Sequence, residues 1–319
     1  MTGTICGRVI MKENKKAYEL FVNEATEAIR AIAGMEYTVV PRRERRNNSV
    51  ILDGILLQKA NERVAPNVYL NHYYADFRNG KSVGEIAEEI MALCREKREE
   101  ILSLTEKLDF SPEYVSRHLY YRLIGKESNE ELLQEVPHQS YLNLAVVFYW
   151  IVYEEGEQIG SIMMTKRQME RFGWSEEQLM QMAQENTPTL FPVLVKSMDE
   201  IVGELLAQQD KLPMLVLSNE KGINGAACLM YPGVLQKMEE AMNGSFYVLP
   251  SSIHELIVIP DCGASAARLC EMVYCINRTQ LPREDVLSDA VYYYSVETKE
   301  LQVADEWEGE EPEQIEKGA

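Results

Sequence analysis

The segment 163–188 constrains this chain more than any other part of the sequence, because two helix-start signatures follow one another within it. Thr165 to Gln168 forms a capping box, in which the two end residues satisfy each other's backbone N–H groups, and Ser175 to Gln178 forms a second one. Gly173 lies between them and is typical of a helix end. The sequence therefore predicts two short helices in tandem. These signals define architecture and bring no reactive groups together.

Length and composition indicate a folded protein of about two domains. The chain has 319 residues, of which 46% are hydrophobic, which is enough for a substantial core. No apolar run approaches the roughly 20 residues that a membrane-spanning helix needs. The longest run, Leu144 to Val152, fits a buried strand. Residues 1–14 lack the apolar region of a signal peptide, so we expect an N-terminal extension of a cytoplasmic protein.

Cysteine spacing and net charge limit the environment and the partners. None of the six cysteines forms a Cys-x-x-Cys pair, which favours free thiols in a reducing compartment. The formal net charge of -19 disfavours binding to nucleic acid or to an anionic membrane, because both are polyanions. Residues 305–319 contain seven acidic residues against Lys317 alone, and we predict a solvated, disordered tail there.

The first half of the chain predicts an N-terminal α+β domain, residues 15–126, built as a helix, a hairpin and further helices. The expected elements are a helix over 12–33, strands over 37–46 and 50–58 joined by an Asn47-Asn48 turn, and helices beginning at Pro66, Ser82 and Ser111. Pro41 favours an edge position for the first strand, and Gly54 suggests a bulge in the second. The polar segment 126–137 is the expected domain boundary, with a short helix around 129–135.

The second half, residues 138–304, predicts a C-terminal α+β domain in which hairpins and helices alternate. The expected strands are 144–153, 158–164, 213–217, 226–230, 246–249, 254–259, 291–296 and 301–303, and the expected helices are the capped pair, 195–208, 232–243 and 264–277. Hairpins joined by helices favour a mixed, largely antiparallel sheet with helices packed on it.

Catalytic candidates are few. Ser251, Ser252 and His254 lie close together in sequence, with Asn186 as a distant polar residue that a pocket could add. In a strand, Ser252 and His254 would be about 7 Å apart on one face, which is too far for direct proton transfer. The structural interpretation is a Pro-Ser-Ser turn whose hydroxyls cap backbone groups. Cys228 could pair with His254 as a thiolate, but its apolar neighbours predict a core strand.

Metal and nucleotide sites are not indicated by the sequence. The four histidines are scattered and none has a His or Cys partner three or four residues away, so we predict no metal and no cofactor. The loop Lys221 to Ala226 has glycines but no Gly-Lys-Ser/Thr sequence. It fits a hairpin loop in which Asn224-Gly225 provides positive φ angles.

One basic cluster stands out in this acidic chain and consists of Arg42, Arg43, Arg45 and Arg46. It could bind an anionic partner, single-stranded nucleic acid or the chain's own acidic surface. Long charged side chains on an edge strand also prevent strand-to-strand aggregation. No aromatic residues that could stack on bases are interleaved with these arginines.

Several motifs together resemble one known family. They are Arg46-Asn47-Asn48, Leu52-Asp53-Gly54, Pro66 to Leu70, Tyr73-Tyr74, Asn186-Thr187-Pro188, Phe191-Pro192, Ala226-Ala227-Cys228, Tyr231 to Leu235, Leu249 to Glu255, and Leu287-Ser288-Asp289 with Tyr292-Tyr293-Tyr294. The chain resembles domain of unknown function 5688, a family from gut Firmicutes, over about residues 15 to 304. The resemblance implies a cytoplasmic bacterial protein and implies no reaction, ligand or catalytic residue.

We therefore expect a non-enzymatic interaction or accessory protein of the bacterial cytoplasm, with a protein partner that the sequence does not identify. A hydrolase or small-ligand enzyme built on Ser251, Ser252, His254 and Asn186 is one alternative. It requires these side chains to converge in a pocket, with a hydroxyl within hydrogen-bond reach of the imidazole. Binding of nucleic acid or another anionic partner through Arg42 to Arg46 is the other alternative. The oligomeric state is not readable from the sequence.

Overall fold

The chain divides into two units by the density of its internal contacts. The computed structural model describes residues 3–60, 65–106, 108–156, 158–198 and 213–306, without the side chains of 3–14, 100–102 and 104–106. Within these ranges the first unit contains residues 3–46 and 51–108, and the second contains residues 47–50 and 109–306. The division lies near residue 109 and not in the polar segment 126–137. The acidic tail from residue 307 and most of the predicted helix 195–208 lie outside the described residues.

The first unit combines long helices with a small antiparallel sheet. Its elements are α1 (Gly3–Ala33), β1 (Thr38–Arg45), β2 (Ile51–Gln58), β3 (Asn67–Tyr69), a 3-10 helix (Leu70–Tyr73), α2 (Tyr74–Arg78) and α3 (Val83–Glu106). The strand order is β1-β2-β3, which confirms the edge position expected for Pro41. The Ser82 hydroxyl accepts from the Glu85 N–H and the Glu85 carboxylate accepts from the Ser82 N–H, so the capping box at the start of α3 is confirmed.

The core of the first unit forms where α1 and α3 bury one face each against the sheet. Phe21, Ala25 and Ile29 of α1 are fully buried together with Ile86 and Ile90 of α3. This i, i+4 spacing is the helical periodicity that predicted both elements. The hydrophobic effect of burying these side chains therefore determines which helix faces point inward.

Three local predictions for the first unit differ from the structure. The first helix begins at Gly3, nine residues before the expected start. Residues 67–69 form a strand and not the start of a helix, because their backbone pairs with β2. Gly54 lies in an unbroken register with β1 and forms no bulge there. A Cβ at this position would approach the Asn67 carboxamide oxygen within 2.5 Å, so the glycine permits close packing of a neighbouring side chain.

The second unit contains two antiparallel sheets. Its helices are α4 (Pro112–His118), α5 (Glu130–Glu135), α6 (Lys166–Phe172), α7 (Glu176–Leu190), α8 (Val234–Met242) and α9 (Ala266–Thr279). Its strands are β4 (Leu119–Gly125), β5 (His138–Tyr141), β6 (Leu144–Glu155), β7 (Gln158–Met163), β8 (Val193–Ser197), β9 (Leu215–Asn219), β10 (Phe246–Pro250), β11 (Leu256–Pro260), β12 (Val291–Ser295) and β13 (Glu300–Asp305). Together with the first unit, this confirms the α+β class.

The two sheets of the second unit share one core. In the four-stranded sheet β4, β6 and β5 are neighbours and β7 also pairs with β6, while the six-stranded sheet has the order β13-β12-β10-β11-β9-β8. Phe148 and Trp150 of β6 lie in the same buried cluster as Val248 of β10 and Val258 of β11. On the outer faces, α5 packs on Val147 of the smaller sheet, and α9 packs on the larger one. Side chains of a strand alternate between faces, so each strand contributes to both layers.

The tandem capped helices are confirmed. The Thr165 and Ser175 hydroxyls accept from the N–H groups of Gln168 and Gln178, and both glutamines return a bond to the cap residue. Gly173 ends α6 in the left-handed conformation at φ 71°. These contacts depend only on neighbours in sequence, which is why sequence reasoning finds them.

Of three predictions for the second unit, one is confirmed and two are corrected. The short helix predicted around 129–135 is confirmed as α5, whose Leu132 and Leu133 are buried. Residues 195–197 belong to strand β8, not to a helix, because they pair with β9. Residues 225–230 form a 3-10 helix where a strand over 226–230 was expected. A short apolar run that is buried on all sides does not distinguish the two by periodicity.

The Asn47-Asn48 turn is confirmed and is held by buried amides of the second unit. Asn48 has a left-handed backbone with φ 56° and is 5% exposed. Its N–H donates to Asn129 Oδ1 at 2.8 Å, and its side chain donates to the Val286 carbonyl at 2.6 Å. Asn129 is fully buried and also donates to the Gly125 carbonyl at 2.8 Å. The buried Asn48 and Asn129 thus have hydrogen-bond partners, as a stable interior requires of buried amides.

Candidate functional site

The segment Leu249 to Glu255, which contains the catalytic candidates Ser251, Ser252 and His254, lies at one end of the six-stranded sheet. It connects β10 to β11, and β11 pairs with β9, so the loop after β9 lies beside it. The 3-10 helix Arg283–Asp285 approaches the same place, because the Ile253 N–H donates to the Asp285 carbonyl at 2.8 Å. Three segments distant in sequence therefore surround His254.

The loop after β9 is shaped by Asn219 and Gly225. Asn219 is 1% exposed, and its carboxamide donates to the Ile223 carbonyl at 2.7 Å and accepts from the Lys221 N–H at 3.0 Å. The expected positive φ occurs at Asn224, with φ 54°. Gly225 has a different role, because a Cβ there would overlap the His254 carbonyl and Ser218. The loop leads into a 3-10 helix, so the expected hairpin is not formed.

Both ring nitrogens of His254 are engaged by its own unit. The Asn224 N–H donates to Nδ1 at 3.1 Å, so Nδ1 acts as an acceptor and the ring proton resides on Nε2. Nε2 then donates to Asp285 Oδ1 at 3.3 Å. The backbone is held as well, with the His254 N–H donating to Ser252 Oγ at 3.0 Å and the Ser218 hydroxyl donating to the His254 carbonyl at 2.8 Å. The imidazole thus joins the loops around it.

The other hydrolase candidates are held apart from this imidazole. Ser252 is 6% exposed, and its hydroxyl caps the His254 N–H, as the turn interpretation expected. The Ser251 hydroxyl faces Glu255 at 3.4 Å. Asn186 lies on α7 and donates to the Ser116 and Leu119 carbonyls at 2.8 and 3.0 Å. Within the described ranges, no hydroxyl is hydrogen-bonded to a nitrogen of the His254 ring, and His254 lies in a loop, not in the predicted strand 254–259.

The buried thiols are poor nucleophiles. Burial raises the pKa of Cys228 to about 12, and its thiol donates to the Ser218 carbonyl at 3.1 Å. Burial also raises the pKa values of Cys94 and Cys270 to about 11. Because the thiolate is the reactive form, these groups remain inert near neutral pH. Cys262 and Cys275 are exposed free thiols.

The basic cluster lies on the edge strand β1 and is partly neutralised within its own sheet. Arg43 Nε lies 3.0 Å from the nearly buried Asp53 carboxylate. Arg46 pairs with Glu44 at 3.1 Å and lies over the ring of Tyr69. The chain's own acidic groups thus occupy part of the surface on which an anionic partner was considered.

A second polar cluster, absent from the sequence analysis, lies on the outer face of the four-stranded sheet. Arg122 is the one residue of β4 that is not buried. Its guanidinium carbon lies 3.7 Å from the ring centre of Tyr149. Nη2 donates to Ser161 Oγ at 2.6 Å and to the Tyr120 hydroxyl, and Nε donates to the same hydroxyl at 3.1 Å. The available signal was a single arginine inside an apolar strand.

Among the described side chains, no group of three or more His, Cys, Asp and Glu is placed to hold a metal ion. Two surface depressions have volumes of about 230 and about 470 Å³, one beside Trp174 and Met182 and the other beside Arg268 and Met272. Neither includes His254. In the described parts of the chain, no helix has the length and apolarity to cross a membrane.

The match to a model of one family covers residues 18–296, which includes the His254 loops and the Arg122 cluster. The chain belongs to DUF5688, a family of unknown function. The resemblance found in the sequence motifs is thereby confirmed. Searches of curated proteins and of solved structures found no match to this DUF5688 protein.

Proposed function

We propose that this DUF5688 protein acts by binding another protein, as an interaction or accessory protein, and not by catalysing a reaction. The observation that carries the proposal is the engagement of both His254 nitrogens by Asn224 and Asp285. An imidazole acts as a general base through a nitrogen lone pair that faces the substrate. The only lone pair of this tautomer holds a backbone N–H group. His254 is therefore better suited to fixing loops than to moving protons.

The charge of the chain favours one class of partner. At a net charge of -19, a partner with a basic surface is attracted, and a polyanion is repelled. The five cysteines whose side chains are described are all free thiols, which supports the reducing cytoplasm of a bacterium as the location.

Reciprocal purification combined with activity assays tests this proposal. The full chain, used as bait in its native host, is expected to retain a partner in near-stoichiometric amount, and that partner is expected to recover the chain in turn. Ester, amide and phosphoester substrates are expected to show no turnover. Turnover that is lost in both His254→Ala and Ser252→Ala would overturn the proposal, as would reciprocal purifications that recover nothing.

Anionic-partner binding through Arg42, Arg43, Arg45 and Arg46 stays a prediction. A polyanion at this strand would compete with Asp53 and Glu44 for Arg43 and Arg46. Binding of a single-stranded oligonucleotide that falls steeply with salt, and that is lost when the four arginines are replaced, would establish this function. A response that is flat with salt would exclude it.

A further inference from the structure

The Arg122 cluster contains a cation whose acceptors are all neutral. Its hydrogen bonds go to the hydroxyls of Tyr120 and Ser161, and no ion pair to Arg122 occurs within the described ranges. A half-buried charge without a counter-charge is costly, because partial removal from water is not compensated by an anion. The half-buried Lys221, by contrast, pairs with the Glu154 carboxylate. The positive charge of Arg122 is therefore not balanced by a carboxylate of the described residues.

The guanidinium is held in a fixed orientation. Arg122 and Tyr120 project from the same face of β4, and Tyr149 lies opposite Tyr120 in the register with β6. The ring of Tyr149 packs against the guanidinium in a cation–π contact, with the guanidinium carbon 3.7 Å from the ring centre. Ser161 on β7 holds one end of it. A group that is oriented before binding loses less conformational entropy when a ligand arrives.

Part of the hydrogen-bonding capacity of this group is unused. A guanidinium has five N–H donors in a planar fork. Nε and Nη2 donate to Tyr120 and Ser161, while Nη1 donates to none of the described residues. The Ser161 hydroxyl accepts from Arg122 and so keeps its own hydrogen for another acceptor. The Nη1 N–H groups of Arg122 and the hydroxyl hydrogen of Ser161 thus remain as donors beside the positive charge.

We propose that Arg122, together with Ser161, is a binding site for a single carboxylate group. The planar fork matches a carboxylate, and charge-assisted bonds of this kind are among the strongest hydrogen bonds in proteins. The chain's charge of -19 penalises a dianionic phosphate more than a monoanionic carboxylate. The carboxylate belongs either to a small molecule or to an acidic side chain or C-terminus of a protein. The site does not depend on the proposed function, since either source would occupy it.

Side-chain NMR of the arginine-labelled full chain tests the site directly. Titration with benzoate at constant ionic strength is expected to shift one arginine signal in a saturable manner, with millimolar affinity. The Arg122 variants lack the reporting arginine signal, so their affinity is followed on the signals of benzoate itself. Arg122→Gln is expected to weaken binding at least about tenfold, which corresponds to 1.4 kcal/mol. Arg122→Lys keeps the charge but loses the fork and is expected to weaken binding about fivefold. Arg171→Gln, at an exposed position of the same unit, is the matched control and is expected to bind as the wild type does.

Two further titrations identify the ligand chemistry. Inorganic phosphate is expected to bind more weakly than benzoate, and the reverse order would overturn the assignment to a carboxylate. A short neutral-ended peptide with alternating Ala and Glu separates the sources: binding about tenfold tighter than benzoate indicates a protein carboxylate, and weaker binding indicates a small molecule. The absence of any saturable shift would overturn the proposal. Unchanged benzoate affinity in Arg122→Gln or Arg122→Lys, with the other arginine signals intact, would do the same.

Discussion

The His254 loops and the Arg122 cluster belong to the same unit and differ in how much hydrogen-bonding capacity they leave unused. The His254 ring has two nitrogens, and Asn224 and Asp285 occupy both. The Arg122 guanidinium donates only to neutral hydroxyls and keeps Nη1 without a described acceptor. His254, a catalytic candidate in the sequence, thus links the surrounding loops through its hydrogen bonds. A residue that no motif indicated has the chemistry of a binding site.

The largest expected effect is that of Gly225→Ala. A Cβ at this position overlaps the His254 carbonyl and Ser218, so the loops around His254 must separate. We expect a loss of about 3 kcal/mol in the free energy of unfolding, at the upper end for overpacking. Urea denaturation measures it. Gly160→Ala, where the added Cβ makes an ordinary contact at 3.4 Å, is the control and is expected to cost less than about 1 kcal/mol. Equal costs would show that the close approach is absent.

The next prediction compares the contributions of His254 and Arg122 to the free energy of unfolding. His254→Ala leaves the Asn224 N–H and the Asp285 carboxylate without their partner, and we expect a loss of about 2 kcal/mol in unfolding free energy. Arg122→Gln removes a ring contact and bonds to neutral hydroxyls, and we expect about 1 kcal/mol or less. Denaturation midpoints of both variants, measured in the same buffer, test the order. A reversed order would mean that Arg122 contributes more to the stability of the fold than His254 does.

The effect that is smallest at neutral pH, where it is close to zero, develops as the pH rises into the alkaline range. Burial raises the pKa of Cys228 to about 12, above the value of about 8.5 for an exposed thiol. The unfolded chain therefore loses this proton first as the pH rises. The stabilisation is complete below about pH 8.5 and is lost progressively toward the folded pKa, by at most about 1.4 kcal/mol per pH unit. Unfolding midpoints are expected to fall between pH 8 and 10. The fall is expected to be smaller in Cys228→Ala, and identical slopes would contradict the assignment.

Sequence reasoning succeeded where the deciding contacts are local. The capping boxes at Thr165 and Ser175 and the left-handed Gly173 involve residues no more than four positions apart. The hairpin of β12 and β13 likewise depends on a short connection. The edge position of Pro41 follows from its missing backbone N–H group.

Sequence reasoning failed where the secondary structure of a segment depends on contacts with residues that are distant in the sequence. Residues 67–69 became a strand because β2 offers them an open edge, and residues 195–197 became a strand because β9 does. Residues 226–230 are buried on all sides, so their apolar run could not separate a strand from a 3-10 helix. In each case tertiary contacts overrode or replaced the local preference.

The sequence by itself determined the tandem capped helices, the hairpins β6–β7 and β12–β13 and the α+β class, because short-range hydrogen bonds and hydrophobic periodicity encode these features. Tertiary structure alone decided the chemical state of the polar side chains. The partners of His254 lie 30 and 31 residues away along the chain, at Asn224 and Asp285. Ser161 is 39 residues from Arg122. Whether a nitrogen is engaged or open depends on which segments the fold brings together, and the linear order of residues does not show that.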